Sequence, residues 1–144
     1  MALEDKKLPP ELKADERVAS AIRPRLADGL LSCPAAFAVA EELACPPIAV
    51  GQTADALGIR LTLCQLGLFG YPGHAKGWQA AGVAELPVPA GLEQALREER
   101  DEGGSIGCLE LWRLAERHGV SRIHVGYLAD RLGIKIRPCQ LGAF

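Results

Sequence analysis

The chain repeats itself. When Gly29–Phe69 is laid over Gly104–Phe144, an offset of 75 positions, seventeen of the 41 aligned residues are identical and no gap is needed. Cys33 falls on Cys108, Ala40-Glu41 on Ala115-Glu116, and Val50-Gly51 on Val125-Gly126. Leu57-Gly58-Ile59 falls on Leu132-Gly133-Ile134, and Cys64-Gln65-Leu66-Gly67 on Cys139-Gln140-Leu141-Gly142. A repeat this regular constrains the architecture before any local propensity does, because one set of packing rules must serve both copies. The shared positions are glycines, small apolar residues and the Cys-Gln-Leu-Gly run, which are the residue types that fix turns and cores.

Each copy predicts the same order of elements. A polar helix comes first, from Pro10 to about Ala27 and from Leu92 to about Glu102, ended by Gly29 and by Gly103-Gly104. A short extended piece follows, Leu30-Leu31-Ser32 or Ser105-Ile106-Gly107. The second helix is expected over about Pro34–Leu43 and Leu109–His118, the third over about Pro47–Leu57 and Arg122–Leu132. Ser121 suits the N-cap of the third helix in the second copy, and Pro47 suits its first turn in the first copy. Ile59–Leu63 and Ile134–Arg137 read as strands. The expected domains are residues 10–70 and 92–144, with a frayed start over 1–9 and a linker or extended wing over 71–91, where Pro and Gly are dense.

The run Leu114-Ala115-Glu116-Arg117-His118-Gly119-Val120-Ser121-Arg122-Ile123-His124-Val125 has the cadence of two helices joined by a tight turn. Gly119 supplies a left-handed turn, Ser121 a cap, and Ala115 and Val125 the packed contact. This run resembles a helix-turn-helix, and with a helix before it and a strand after it each copy resembles the winged-helix superfamily. The resemblance implies a mainly α fold with short β: two tandem winged-helix-like repeats, each of three helices plus a small β-wing, related by a pseudo-twofold. The first copy departs from the pattern at its turn, Ala44-Cys45-Pro46-Pro47, which has neither Gly nor Ser.

That fold directs attention to the third helix, because a reading helix must offer donors to base edges and its surroundings cations to phosphates. From Ile106 to Phe144 there are six basic residues, Arg113, Arg117, Arg122, Arg131, Lys135 and Arg137, against Glu110, Glu116 and Asp130. Ser121, Arg122, His124, Tyr127, Arg131, Lys135 and Arg137 are therefore the expected DNA contacts. The first copy offers Gln52 and Thr53, with Arg60 against Glu41, Glu42 and Asp55. The leading expectation is a regulatory DNA-binding protein concerned with transcription, reading through the second copy. The alternative is a protein-interaction or assembly module, with the smooth Ala-rich surface of the first copy facing a partner or the other repeat. A net charge of −2 gives no overall attraction to nucleic acid or acidic lipid.

Four of the five cysteines repeat. Cys33 and Cys108 precede the second helix, and Cys64 and Cys139 end the strand. Packing accounts for them most simply, since Cys is a small apolar residue. The alternative is a switchable disulfide or half of a thiolate metal site, and no cofactor is otherwise expected. The odd cysteine count and a charged start without an apolar h-region favour a cytoplasmic location with free thiols. The most apolar stretch is broken by Glu41, Glu42 and Pro46-Pro47, so no membrane association is expected. No Ser-His-Asp or Cys-His arrangement has a persuasive context, so an enzyme is not expected. Gly70–Trp78 fails the phosphate-loop spacing, leaving Trp78 as an anchor and Tyr71, His74 and Lys76 as polar extras. Gly51 and Gly126 interrupt helices at a cost of up to ~1 kcal/mol each. The close approach of another helix or of a ring such as Phe37 or Trp112 is the expected reason, a ligand gap the alternative. Asp55 and Asp130 read as structural.

Overall fold

The computed structural model describes residues 14–144. Residues 1–9 and the expected helix start at Pro10 lie outside them. The described chain is mainly helical with short strands. It divides into two compact units, one running to Cys64 and including Gln140–Phe144, the other spanning Gln65–Cys139. The units therefore do not coincide with the sequence repeats: each Gln-Leu-Gly tail is grouped with the helices of the opposite copy.

In the first unit α1 spans Glu16–Ile22, and the Asp15 side chain caps it by accepting from the backbone N–H of Arg17 and Val18. Its apolar face, Val18, Ala19 and Ile22, is buried, and the helix packs on the two that follow. A 3-10 turn over Arg23–Arg25 replaces the expected helical continuation, with Pro24 at its start. Strand β1 is Leu31–Ser32, and Ser32 caps α2, Cys33–Leu43, by accepting from Ala35 N–H at 3.2 Å. Cys33, Ala36, Val39 and Ala40 form the buried stripe of α2. Burial of a side chain such as Val39 contributes about 1.5–3 kcal/mol. Helix α3, Pro47–Ala56, buries Val50, Gly51, Thr53 and Ala54. Thr53 satisfies its hydroxyl by donating to Ala49 O at 2.9 Å and accepting from Asp15 N–H at 3.3 Å, which ties α3 to the cap of α1. Strand β2, Leu61–Thr62, pairs with β1 in parallel, Leu31 opposite Leu61.

The second unit repeats this plan. It opens with α4, Gly77–Ala81, and a 3-10 turn over Val83–Glu85, then α5, Leu92–Glu99, which buries Leu92 and Leu96. Strand β3 is Ser105–Ile106, and α6, Cys108–His118, buries Cys108, Leu111, Leu114 and Ala115. Helix α7, Arg122–Arg131, is capped by Ser121, whose hydroxyl accepts from His124 N–H at 3.2 Å. Strand β4, Lys135–Ile136, pairs with β3 in parallel, Ile106 opposite Ile136. Both ends of α6 and α7 lie 75 residues after those of α2 and α3.

The turn between the second and third helices is built twice with different residues. Gly119 ends α6 at φ +67°, and Ala44 ends α2 at φ +52°. A Cβ in the left-handed region costs roughly 1–2 kcal/mol. Ala44→Gly is therefore expected to stabilise the chain by about 0.5–1 kcal/mol, once the greater freedom of glycine in the unfolded state is counted. Urea unfolding measures it, and a lowered midpoint would contradict the conformational argument.

Two expectations change. The segment over 71–91, expected as a linker or extended wing anchored by Trp78, holds helical structure: Trp78 and Val83 are buried, and both α4 and the adjacent 3-10 turn pack on α7. The strands after the third helices hold only two paired residues each. Leu63 takes φ +49° and Pro138 follows Arg137, so neither segment continues as a strand. Among the described residues each sheet is a parallel pair, with no antiparallel hairpin of the kind a wing forms.

Candidate functional site

The third helices carry the residues with most chemistry, and their glycines show what they pack against. A Cβ placed on Gly51 would overlap the Leu141 carbonyl oxygen and lie 2.6 Å from the carbonyl carbon. One placed on Gly126 would overlap the Leu66 carbonyl oxygen and lie 2.9 Å from its carbon. The close approach expected at these glycines is real, and the neighbour is the backbone of a Gln-Leu-Gly tail rather than a helix or a ring. Leu66 and Leu141 are both buried.

The expected DNA contacts on and around α7 divide by what they already touch. Ser121 is the cap. Arg122 lies with its guanidinium 3.6 Å from the centroid of the Trp112 ring and donates to the Gln65 amide oxygen. Tyr127 is half-buried, its ring 6.1 Å from that of Trp78 at a 60° tilt. Arg137 Nε donates to Ser105 Oγ at 2.9 Å. Arg131 is exposed, 5.8 Å from the Tyr127 ring, and Lys135 is exposed on β4. His124 does not face outward as expected. It is 2 % exposed, on the same buried side of α7 as Val125 and Leu128. Three of the seven residues, Arg122, Tyr127 and Arg137, touch neighbours within the unit, and Arg122 and Arg137 stay exposed, as do Arg131 and Lys135.

The His124 Nε2 finds no hydrogen-bond partner among the described residues. Burial lowers its pKa below the ordinary 6.5. As pH falls through that ordinary value the unfolded chain takes up a proton that the folded chain refuses. Stability is therefore full above about pH 6.5 and declines below it. Comparing urea midpoints at about pH 7.5 and about pH 5.5, His124→Leu is expected to remove part of the acid loss. An unchanged pH slope in the variant would assign that loss to other groups.

No family model, curated protein or solved structure matches this chain.

The repeated cysteines sit in the core more than on a surface. Cys33, Cys64 and Cys108 are buried and Cys139 is half-buried. Cys108 N–H donates to Pro138 O at 3.1 Å, joining the start of α6 to the segment after β4. No disulfide joins the five cysteines, and among the described residues no group of three or more His, Cys, Asp or Glu is placed to hold a metal. No single helix among them is long and apolar enough to cross a membrane.

The two third helices differ most along one stripe. On α7 it consists of Ile123, Tyr127 and Arg131, and on α3 of the equivalent Ile48, Gln52 and Ala56, at spacings of four that share a helix face. On α7 the stripe is met from outside by α4. Trp78 packs on Tyr127, and a Cβ on Gly67 would sit 2.8 Å from Trp78 and 2.9 Å from Ile123, so the three converge. On α3, Gly142 makes the matching approach to Ile48, at 2.7 Å for an added Cβ. Yet Ile48 stays 41 % exposed, and Gln52 and Ala56 are exposed as well. The stripe carries no charge. In the sequence Gln52 stands out only, with Thr53, as a polar residue of the first copy's third helix. The signal that could have found the stripe was the repeat itself, which aligns Ile48 with Ile123 and puts Trp78 in only one copy's surroundings.

Proposed function

We propose that this chain is a non-enzymatic protein-interaction module built from two tandem helix-turn-helix units, and that it docks a partner on the α3 stripe. The observation that carries this reading is the uncharged, exposed stripe Ile48, Gln52 and Ala56, whose counterpart on α7 is covered by a short helix bearing Trp78. By that analogy the partner is an amphipathic helix that offers an aromatic side chain. Aromatic anchors in apolar grooves are the usual energetic centres of such contacts.

Direct DNA reading finds less support. A reading helix must expose its middle residues, whereas from Ile123 to Ala129 every residue of α7 is buried or half-buried. The Gln65–Cys139 unit carries equal numbers of Lys plus Arg and of Asp plus Glu, so no net cation excess draws it to phosphates.

The test follows backbone amide shifts while a peptide covering residues 74–86, the natural cover of the α7 stripe, is added to the intact chain. Shifts confined to α3 and abolished by Ile48→Glu are expected. The opposing result is no response on α3, together with duplex DNA binding that weakens with salt and with Arg131→Ala plus Lys135→Ala.

A further inference from the structure

We propose that residues 140–144 form an exchangeable docking segment, and that a second copy of this chain can place its own segment on Gly51 to close a tail-exchanged dimer. This goes beyond the α3 stripe reading and involves another surface and another partner.

One contact between helix and tail occurs twice. Gly51 receives the Leu141 carbonyl, and Gly126 receives the Leu66 carbonyl, in the same relation of helix to tail. The flanking approach is also duplicated, Gly142 to Ile48 and Gly67 to Ile123. Docking is therefore a property of the pair formed by a glycine helix and a Gln-Leu-Gly tail. It does not depend on one location in the chain.

The two tails are not equally exchangeable. Leu66 continues into α4, where Gly77 N–H donates to Gly67 O at 2.7 Å and Trp78 closes over Gly67, so that segment is fixed within its unit. Residues 140–144 are grouped with α1–α3, while Cys139, to which they are joined, belongs to the other unit. The chain thus passes between units at the Cys139–Gln140 bond, just after Arg137 and Pro138, which are exposed. Re-routing the tail into a second molecule preserves the approach of Leu141 to Gly51 and redirects the chain at that crossing. This is the condition under which exchange of identical elements costs little.

Two variants test it in the full-length chain. Gly51→Ala closes the docking site and keeps the tail; Leu141→Asp spoils the tail and keeps the site. Each alone is expected to be monomeric by native mass spectrometry. The mixture, with one variant isotope-labelled, is expected to yield a heterodimer containing one chain of each. Folded variants that stay monomeric when mixed at high concentration overturn the proposal. Should Gly51→Ala fail to fold, a labelled peptide of residues 137–144 titrated into the Leu141→Asp chain decides the matter. Saturable binding is expected, about tenfold or more weaker for the peptide carrying the same Asp. Absence of saturable binding overturns the proposal.

Discussion

Gly51→Ala should unfold at a midpoint about 10 °C below the wild-type chain, and Gly126→Ala should behave alike. The sign is the informative part. In an exposed helix interior, Ala is favoured over Gly by up to ~1 kcal/mol, so a simple propensity argument predicts stabilisation at both positions. The collision reverses this. An added Cβ meets backbone carbonyl groups, Leu141 C at 2.6 Å and Leu66 C at 2.9 Å, and a carbonyl cannot rotate aside as a side-chain tip can. Relief requires the tail to lift, which uncovers Leu141 or Leu66, or α3 and α7 to shift within packed cores. Overpacking costs about 1–3 kcal/mol, and exposing a buried Leu adds about 1.5–3 kcal/mol. Calorimetry of the two variants is the measurement. A midpoint that rises would mean that neither tail lies against its helix backbone.

Trp78→Ala is expected to cost about 3–5 kcal/mol, as for a large aromatic removed from a core. Trp78 is 8 % exposed and contacts Tyr127 on α7. Lys76 adds a cation, its Nζ 5.7 Å from the indole centroid, and donates to Leu68 O at 3.3 Å. A tryptophan in an open linker would give a change within about 0.5 kcal/mol. Urea unfolding followed by far-ultraviolet circular dichroism separates the two, with Trp112 fluorescence as an independent probe. A small effect would return residues 71–91 to the status of a connector.

The helices were legible because their signals are local. Ser121 and Pro47 mark the starts of α7 and α3, Gly58 and Gly133 mark their ends, and the structure follows within a residue or two. The first helices were overextended at their C-terminal ends: α1 stops at Ile22, where Pro24 disfavours continuation and Arg23–Arg25 turns as 3-10, and α5 stops at Glu99. Segment 71–91 misled for the opposite reason: its Pro and Gly content masks α4, whose order comes from the burial of Trp78. The surface of α7 was misread at His124, because the helix carries buried residues on both sides of it and a polar side chain alone does not reveal its face. The tail contact was the least legible feature. Gly51 and Leu141 are both repeated positions, yet the sequence records that each recurs without recording that they meet.

That meeting has a bearing on how the two copies could diverge. A polypeptide with one copy alone would have a glycine helix without a tail and a tail without a helix. Two such polypeptides would satisfy both only as a closed homodimer, in which every outer residue appears twice by symmetry. Any substitution on the third helix would then alter both faces together. Joining the copies replaces an association that depends on concentration with one set by the connecting chain. It also releases the faces from one another. One third helix is free to keep Ile48, Gln52 and Ala56 bare while the other sets Tyr127 under a tryptophan-bearing cover, and the tails still hold both helices by the same pair of carbonyls.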